Sequence, residues 1–461
     1  MKVLLVTTPP ARESIDLSFF LHAEPLSLEY IGAGVKDHHD VRLLDLRLPT
    51  GPGLKEVLET FQPDILGCGA YTLGVNTAIQ QCAEAKKILP GITTVVGGMH
   101  ASLQPEDYFV DCIDVVVIGE GILPFKKLCE CLEKHKSLGE VENIAFKTDG
   151  RWVSTSRTPH PPLDSLPFPA RELTSHIRNQ YYGHLLNMPL AYIRGSVGCN
   201  FRCIFCSVGK LMDYKVYRHS IDRIVQELDS INESIAIWVD DEFLLDGERA
   251  SELARAISSA GIKKKHFFSA RADSVIKKSK LIEEWAKIGL EAVLVGFESH
   301  RESDLKNMGK GTSTSNTKEI IHILKQNKIS VQGNFIISQD FTARDFEDMA
   351  NYILDLKIGY QNLSVLTPLL GTKLYEREKG NLITNNYNLF DLAHTVLPTR
   401  LPLREFFNEF TKAYTKINAS QGGLKRFQAL PLKLRLEILD GMIKMEEKLR
   451  NAYRDYDKHL W

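Results

Sequence analysis

Short apolar runs alternate with amphipathic stretches over the first 140 residues, and that alternation limits the fold more than any other feature. Lys2–Thr7 reads as a strand, Ser27–Lys36 as a helix, Asp40–Arg47 as a strand carrying Val41, Leu43 and Leu44, and Gly53–Gln62 as a helix. Asp64–Tyr71 is a strand, and Asn76–Leu89 a helix that stops before Pro90-Gly91. Ile92–Gly98 and Asp114–Glu120 are strands, and Pro124–Lys136 is a helix. Strands joined by helical crossovers make a parallel, doubly wound sheet. Such sheets take ligands at the carboxyl ends of their strands.

The rhythm then breaks and restarts. Asn143–Ser156 reads as two short strands around Asp149-Gly150, a hairpin signal. Pro159, Pro161, Pro162, Pro167 and Pro169 follow closely and make a stiff connector. Strands are predicted at Ala191–Ser196, Ile235–Asp240, His266–Ala270, Ala292–Phe297, Val331–Ile337 and Leu363–Thr367, with helices between them. That stretch is shorter than the ~250 residues of a closed eight-stranded barrel. The expected fold class is therefore α/β. A Rossmann-like domain covers 1–140, a hairpin and proline-rich linker 141–190, a partial (β/α)6 barrel 191–388, and a helical region 389–461.

Lys plus Arg total 57 against 58 Asp plus Glu, so the chain lacks the basic excess of a nucleic-acid binder and none is expected as a partner. The apolar run at the N-terminus is too short for a signal peptide, and no run approaches the ~18 apolar residues of a spanning helix. The expectation is a cytoplasmic protein. Leu424–Leu449 is amphipathic and mildly basic, with Lys425, Arg426, Lys433, Arg435, Lys444 and Lys448. It fits a peripheral membrane contact and equally a domain-packing helix.

Of eight cysteines, Cys68, Cys82, Cys112, Cys129 and Cys131 are scattered. Cys129 shares a helical stripe with Phe125, Leu128 and Leu132, and Cys82 one with Ile79 and Ala83, which suits small buried hydrophobes. Cys199, Cys203 and Cys206 differ. They stand in Gly198-Cys199-Asn200-Phe201-Arg202-Cys203-Ile204-Phe205-Cys206, directly after a predicted strand. Three thiolates from one loop can hold three irons of a [4Fe–4S] cluster and leave the fourth open. The alternatives are buried thiols or a zinc site, although zinc usually takes four ligands and no second pair lies nearby.

This CxxxCxxC loop after a strand, with Phe205 before the last cysteine, resembles the radical S-adenosylmethionine superfamily. The resemblance implies that Cys199, Cys203 and Cys206 hold a [4Fe–4S] cluster whose open iron binds S-adenosylmethionine. An external electron donor of flavodoxin or ferredoxin type then drives cleavage to a 5′-deoxyadenosyl radical. Later strand ends offer candidate cofactor contacts. Asp241 and Glu242 suit an ammonium or ribose hydroxyls, Arg271 the methionyl carboxylate, Glu298 the ribose, and Thr367 marks where the family reads adenine through backbone groups.

In the first domain, Gly67–Thr72, Gly97-Gly98-Met99-His100 and Gly119-Glu120-Gly121 follow strands, where glycines let a bulky ligand approach the backbone. With Pro63–Gly67 and Asp114–Gly121, they resemble the cobalamin-binding domain that precedes many radical S-adenosylmethionine barrels. That implies cobalamin held by Gly69, Thr72, Gly97, Gly98, Gly119 and Glu120, with Gly97-Gly98 beside the dimethylbenzimidazole tail. Gly69 stands where the family often has Ser. The DxHxxG ligand motif is absent: Asp37-His38-His39-Asp40-Val41-Arg42 begins like it but ends in Arg. No histidine is therefore expected on cobalt, and His100 is expected to be structural.

Phe19–Tyr30, Leu166–Leu173 and Phe390–Leu403 resemble segments of the hopanoid C-3 methylases, with the anaerobic magnesium-protoporphyrin ester cyclases as more distant kin. The resemblance implies a C-methyltransferase that uses one S-adenosylmethionine to methylate cobalamin and a second to make the radical. Its substrate would be a small molecule or lipid, a polycyclic lipid among them. A cobalamin radical enzyme that cyclises, ring-contracts or oxidises without methyl transfer is the alternative. A non-enzymatic cobalamin sensor would leave the cysteine loop without a purpose.

Overall fold

The computed structural model describes residues 1–15, 21–48, 50–183, 188–419, 428 and 430–457. The chain divides into two compact units, one of Met1–Ser14 with Glu24–Gln180 and the other of Ile15–Ala23 with Tyr181–Trp461.

The first unit is built on a seven-stranded sheet of β1 (Lys2–Thr7), β2 (Asp40–Leu44), β3 (Ile65–Gly69), β4 (Thr93–Gly97), β5 (Val115–Val117), β6 (Ile144–Thr148) and β7 (Arg151–Ser154). Their order is β2-β1-β3-β4-β5-β6-β7. The first five run parallel; β6 and β7 form an antiparallel hairpin on the edge. Asp149 and Gly150 turn that hairpin, both at positive φ (48° and 75°), as a two-residue turn between twisted strands requires. Val3–Val6 and Val115–Val116 are buried without alternation, because parallel strands carry helices on both faces. The strand order reverses at β1, which has β2 on one side and β3 on the other.

Beyond the proline run, Arg171–Gln180 coils as a 3-10 stretch against the helix Leu26–Ala33. A buried ion cluster joins them. Glu24 accepts from Arg171 (3.3 Å) and Arg178 (2.7 Å), and Glu29 accepts from the Thr174 hydroxyl at 2.6 Å. Burial and the neighbouring Glu24 push the Glu29 carboxyl up to about 8.

The second unit carries six parallel strands in sequential order: β8 (Met188–Ile193), β9 (Ile235–Trp238), β10 (Lys265–Arg271), β11 (Leu290–Glu298), β12 (Ser330–Ile337) and β13 (Tyr360–Val365). Helical crossovers between successive strands make the partial barrel that the alternation predicts. Two antiparallel two-residue strands, Tyr182–Gly183 and Leu21–His22, extend its β8 edge. Trp285 centres the aromatic core. It meets Trp238, Phe243 and Phe268 edge-on at 5.6, 4.8 and 5.8 Å, and its indole N–H donates to the Ala250 carbonyl at 3.0 Å.

After β13, His394 is fully buried between Asp391 (2.8 Å) and Asp455 (3.2 Å). Asp391 also accepts the Ile15 N–H at 2.7 Å, and the Tyr456 hydroxyl donates to the Thr395 carbonyl at 2.7 Å. Burial opposes a charge on His394, but the two carboxylates outweigh it and raise the imidazole to about 9. The helix Leu432–Asn451 buries Leu434, Ile438, Gly441, Met445 and Leu449. On its opposite face Leu432, Leu436, Leu439 and Ile443 are exposed. Phe19, Phe20, Lys425 and Arg426 lie outside the described residues. Among the described residues, no helix is long and apolar enough to cross a membrane.

Candidate active site

The cysteine loop is shaped from below by the acids that close β9. Asp240 accepts from the Gly195 N–H (2.9 Å) and the Ser196 hydroxyl (2.5 Å), and Asp241 accepts from the Gly198 N–H at 2.7 Å. Glu242 accepts from the Arg271 N–H at 2.7 Å. One oxygen of each acid therefore grips backbone, which the sequence alone does not reveal. Burial raises all three carboxyls, Asp240 to about 6. Gly198 has φ +97°, and a Cβ there would run into the Lys215 carbonyl, so only glycine can begin the loop. Ile204 pins its middle, donating to the Met308 carbonyl (3.2 Å) and accepting from the Leu374 N–H (2.9 Å).

Arg271, at the end of β10, reaches the cysteines. Its guanidinium lies 3.9 Å from the centre of the Phe201 ring, bonds Asp273 at 2.9 Å, and approaches the Cys203 sulfur at 3.4 Å. It also donates to the carbonyl of Lys310. Lys310 is buried, pairs with Glu298 at 2.5 Å, and sits 5.9 Å from the centre of the Phe205 ring. Glu298 has φ +65° at a bulge where the register of β11 on β12 shifts. A bulge re-aims a strand-end side chain. Thr367, just past β13, is buried with its hydroxyl on the Val365 carbonyl at 2.9 Å. Cys203, Arg271, Lys310 and Glu298 thus form one linked group. Asp241 and Glu242 stand behind the loop.

Lys310 is the residue that sequence reasoning missed. It sits between Gly309 and Gly311, both at positive φ. The signal available was those two glycines around a lone cation.

Burial, with the neighbouring Cys206, Asp241 and Glu242, pushes the Cys199 thiol up to about 11. Thiolates here need positive charge nearby, which iron supplies together with Arg271 and Lys310. A cluster binds each thiolate to a different iron, so the donor set suits it.

In the first unit, the carboxyl edge of the sheet is lined by small residues. Gly69 ends β3 and Gly97 ends β4; Gly98 follows at φ +104°, where a Cβ would lie 2.8 Å from the Ala70 carbonyl. Ala70 donates to the Gly97 carbonyl at 3.0 Å, which holds the two strand ends together. Gly119 has φ +77°, with open space where a Cβ would point, and its N–H donates to Ser102 at 2.8 Å. Glu120 lies 3.4 Å from His160. His100 is fully buried, with Nδ1 3.2 Å from the Thr72 hydroxyl and Nε2 2.9 Å from Asp107. Both of its ring nitrogens are therefore engaged. A glycine-lined edge beside the β1/β3 reversal is a cradle into which a broad flat ring fits.

Comparison with known proteins agrees with both halves. The family described as Radical SAM superfamily matches residues 193–353, and that described as B12 binding domain matches residues 15–128. The hopanoid C-3 methylase of Methylococcus capsulatus is 31% identical over 421 residues, 89% of this chain and 79% of that one. The anaerobic magnesium-protoporphyrin IX monomethyl ester cyclase of Rubrivivax gelatinosus is 25% identical over 351 residues, 72% of this chain and 63% of that one. The solved structure of the cobalamin-dependent S-adenosylmethionine radical enzyme OxsB with aqua-cobalamin bound superimposes with a TM-score of 0.70 at 17% identity, over 98% of this chain and 72% of that one. The chain belongs to the cobalamin-dependent radical S-adenosylmethionine methyltransferases, and its cofactors are accordingly a [4Fe–4S] cluster, S-adenosylmethionine and cobalamin.

Proposed function

We propose that the protein transfers a methyl group to an unactivated carbon of a small apolar substrate, with a polycyclic lipid as its class. The observation that carries this reading is the pairing, in one chain, of a cysteine loop faced by Arg271 and Lys310 with a glycine-lined cobalamin edge. When bound, the cluster with S-adenosylmethionine supplies a radical able to break a strong C–H bond, and cobalamin supplies a methyl group that a carbon radical can take. Cys199, Cys203 and Cys206 hold three irons and leave the fourth for S-adenosylmethionine. Arg271 and Lys310 offer cations for its carboxylate, Glu298 accepts from its ribose, and the backbone at Thr367 meets its adenine. Asp241 holds the start of the loop through the Gly198 N–H, and Glu242 holds the backbone of Arg271. Gly69, Thr72, Gly97, Gly98, Gly119 and Glu120 receive the cobalamin. Beyond this the protein orients the substrate and excludes water. The electron comes from a donor of flavodoxin or ferredoxin type.

The exposed stripe of Leu432, Leu436, Leu439 and Ile443 supports a lipid substrate reached from a membrane surface. Charges beside it are paired within the helix, Lys444 with Asp440 and Arg450 with Glu446, both at 2.6 Å, so apolar insertion would dominate. The cyclase relative favours a second reading, a radical rearrangement or oxidation without methyl transfer. Turnover with methyl-deuterated S-adenosylmethionine separates the two. Methyl transfer yields S-adenosylhomocysteine and 5′-deoxyadenosine in about equal amounts and a product carrying three deuteriums. Deoxyadenosine alone, with a product that gains no carbon, would move the protein to the second class.

A further inference from the structure

We propose that the outer face of the cysteine loop is a docking surface for an acidic one-electron carrier protein, steered there by a collar of exposed cations: Arg202, Lys210, Lys215, Lys306 and Lys373. The proposal rests on the assignment of a [4Fe–4S] cluster to Cys199, Cys203 and Cys206, and it adds where the electron enters. All of the collar belongs to the second unit. Its members come from separate segments that close on the loop. Arg202 is part of the loop itself, and its guanidinium lies 4.5 Å from the centre of the Tyr214 ring. That contact draws in the turn carrying Lys215, whose carbonyl packs against Gly198. Lys210 stands on the short helix Val208–Leu211, directly after the last cysteine. Lys306 closely precedes Met308, whose carbonyl accepts the Ile204 N–H at 3.2 Å, and Lys373 precedes Leu374, whose N–H donates to the Ile204 carbonyl at 2.9 Å.

Charge on these segments is one-sided. Among the described residues, no member of the collar forms an ion pair. The acids close by in sequence are largely spent: Glu376 pairs with Lys379 and Glu378 with Arg377, each at 2.8 Å, and Glu302 accepts from the Ser313 and Thr314 hydroxyls. Asp213 is left against the collar. The chain as a whole carries 57 basic and 58 acidic residues, so the excess is local to this face. Unpaired surface cations add little to folding stability. A patch of one sign instead attracts a partner of the other and speeds their encounter. Redox encounters bury small interfaces and gain most from such steering. The exposed large apolar side chains lie on other segments, so the face suits a charged protein better than insertion into a lipid surface. Beneath the collar, Cys199 and Cys203 are half-buried and Cys206 is exposed, so the loop itself is the cover that a carrier would meet.

The test uses the full chain, reconstituted with iron and sulfide under anaerobic conditions. Wild type is compared with Lys210→Glu/Lys215→Glu, with Lys306→Glu/Lys373→Glu, and with Lys263→Glu, an exposed lysine before β10 at the opposite end of the barrel. Stopped-flow absorbance follows cluster reduction by flavodoxin hydroquinone, an acidic carrier, and by photoreduced 5-deazariboflavin, a small uncharged donor. Each double variant should lower the second-order rate with flavodoxin by about tenfold at low salt. The gap should shrink at ~0.5 M salt, where exposed charges are screened. Rates with deazariboflavin, and both rates of Lys263→Glu, should match wild type. A wild-type flavodoxin rate in either double variant would overturn the proposal. An equal loss with deazariboflavin would overturn it too, because the damage would then lie in the cluster site. So would loss of binding to phosphatidylglycerol vesicles with an unchanged flavodoxin rate, which would give the face to a membrane. A wild-type chain that takes up no iron would sink the cluster assignment itself, and the docking surface with it.

Discussion

Replacing His394 with Gln should remove a stabilisation that exists only below about pH 9. The imidazole is buried between Asp391 and Asp455 and holds its proton up to about 9, against an ordinary value of 6.5. A histidine raised above its unfolded value stabilises fully below the unfolded pKa and loses that contribution as pH rises through the folded one. Linkage over this interval gives about 3 kcal/mol near pH 6 and about 0.2 kcal/mol near pH 9.5. Asp391 keeps the backbone donors of Ile15, Ala393 and His394 in the variant, so its carboxylate is not abandoned. Urea unfolding of the iron-free chain, wild type against His394→Gln, reads the difference at each pH. Titrating groups away from His394, Asp391 and Asp455 are common to both proteins and cancel. The gap should close as pH rises from about 6 to 9.5. A gap that stays constant, or that widens at high pH, would refute a charged His394.

Three further outcomes follow from the same structure. Iron analysis of anaerobically reconstituted protein should give about four irons per chain; Cys203→Ala should abolish them and Cys129→Ala, at a fully buried helical position, should not. Gly198→Ala should lower cluster content more than global stability, because strain of ~1–3 kcal/mol at positive φ falls on the start of the cysteine loop; iron content and the urea midpoint measured together check this. Trp285→Ala should cost ~3–5 kcal/mol in urea unfolding, as its fully buried ring packs against the rings of Trp238, Phe243, His266 and Phe268 and its N–H donates to the Ala250 carbonyl.

Periodic features were legible in the sequence because they are local. The apolar runs of β1, β3 and β8–β13 and the Asp149-Gly150 turn depend on neighbours a few residues away. The cysteine spacing is local as well. What escaped depends on distant partners. Asp240, Asp241 and Glu242 each commit one oxygen to the backbone of Gly195, Gly198 or Arg271, partners too far along the chain for spacing to show. Lys310 is buried by partners distant in sequence, Glu298 at its ammonium and Arg271 at its carbonyl. The helix Leu432–Asn451 has apolar residues on two faces, and only packing decides which of them meets water.

The short strand Leu21–His22 gives the chain an unusual order of assembly. It precedes Glu24–Gln180 in the chain, yet its partner, Tyr182–Gly183, follows that whole stretch. On the ribosome, the earliest piece of the second unit must therefore wait unpaired while the first unit forms around its two flanks. The same threading defeats a single cut between the units. A fragment ending at Gln180 keeps a stranded segment, Ile15–Ala23, that belongs elsewhere, and a fragment beginning at Tyr181 lacks the outermost strand of its sheet and the Ile15 N–H that Asp391 receives. Swapping cobalamin modules between relatives of this protein would require two joints, one on each side of Ile15–Ala23, as well as the one near Gln180.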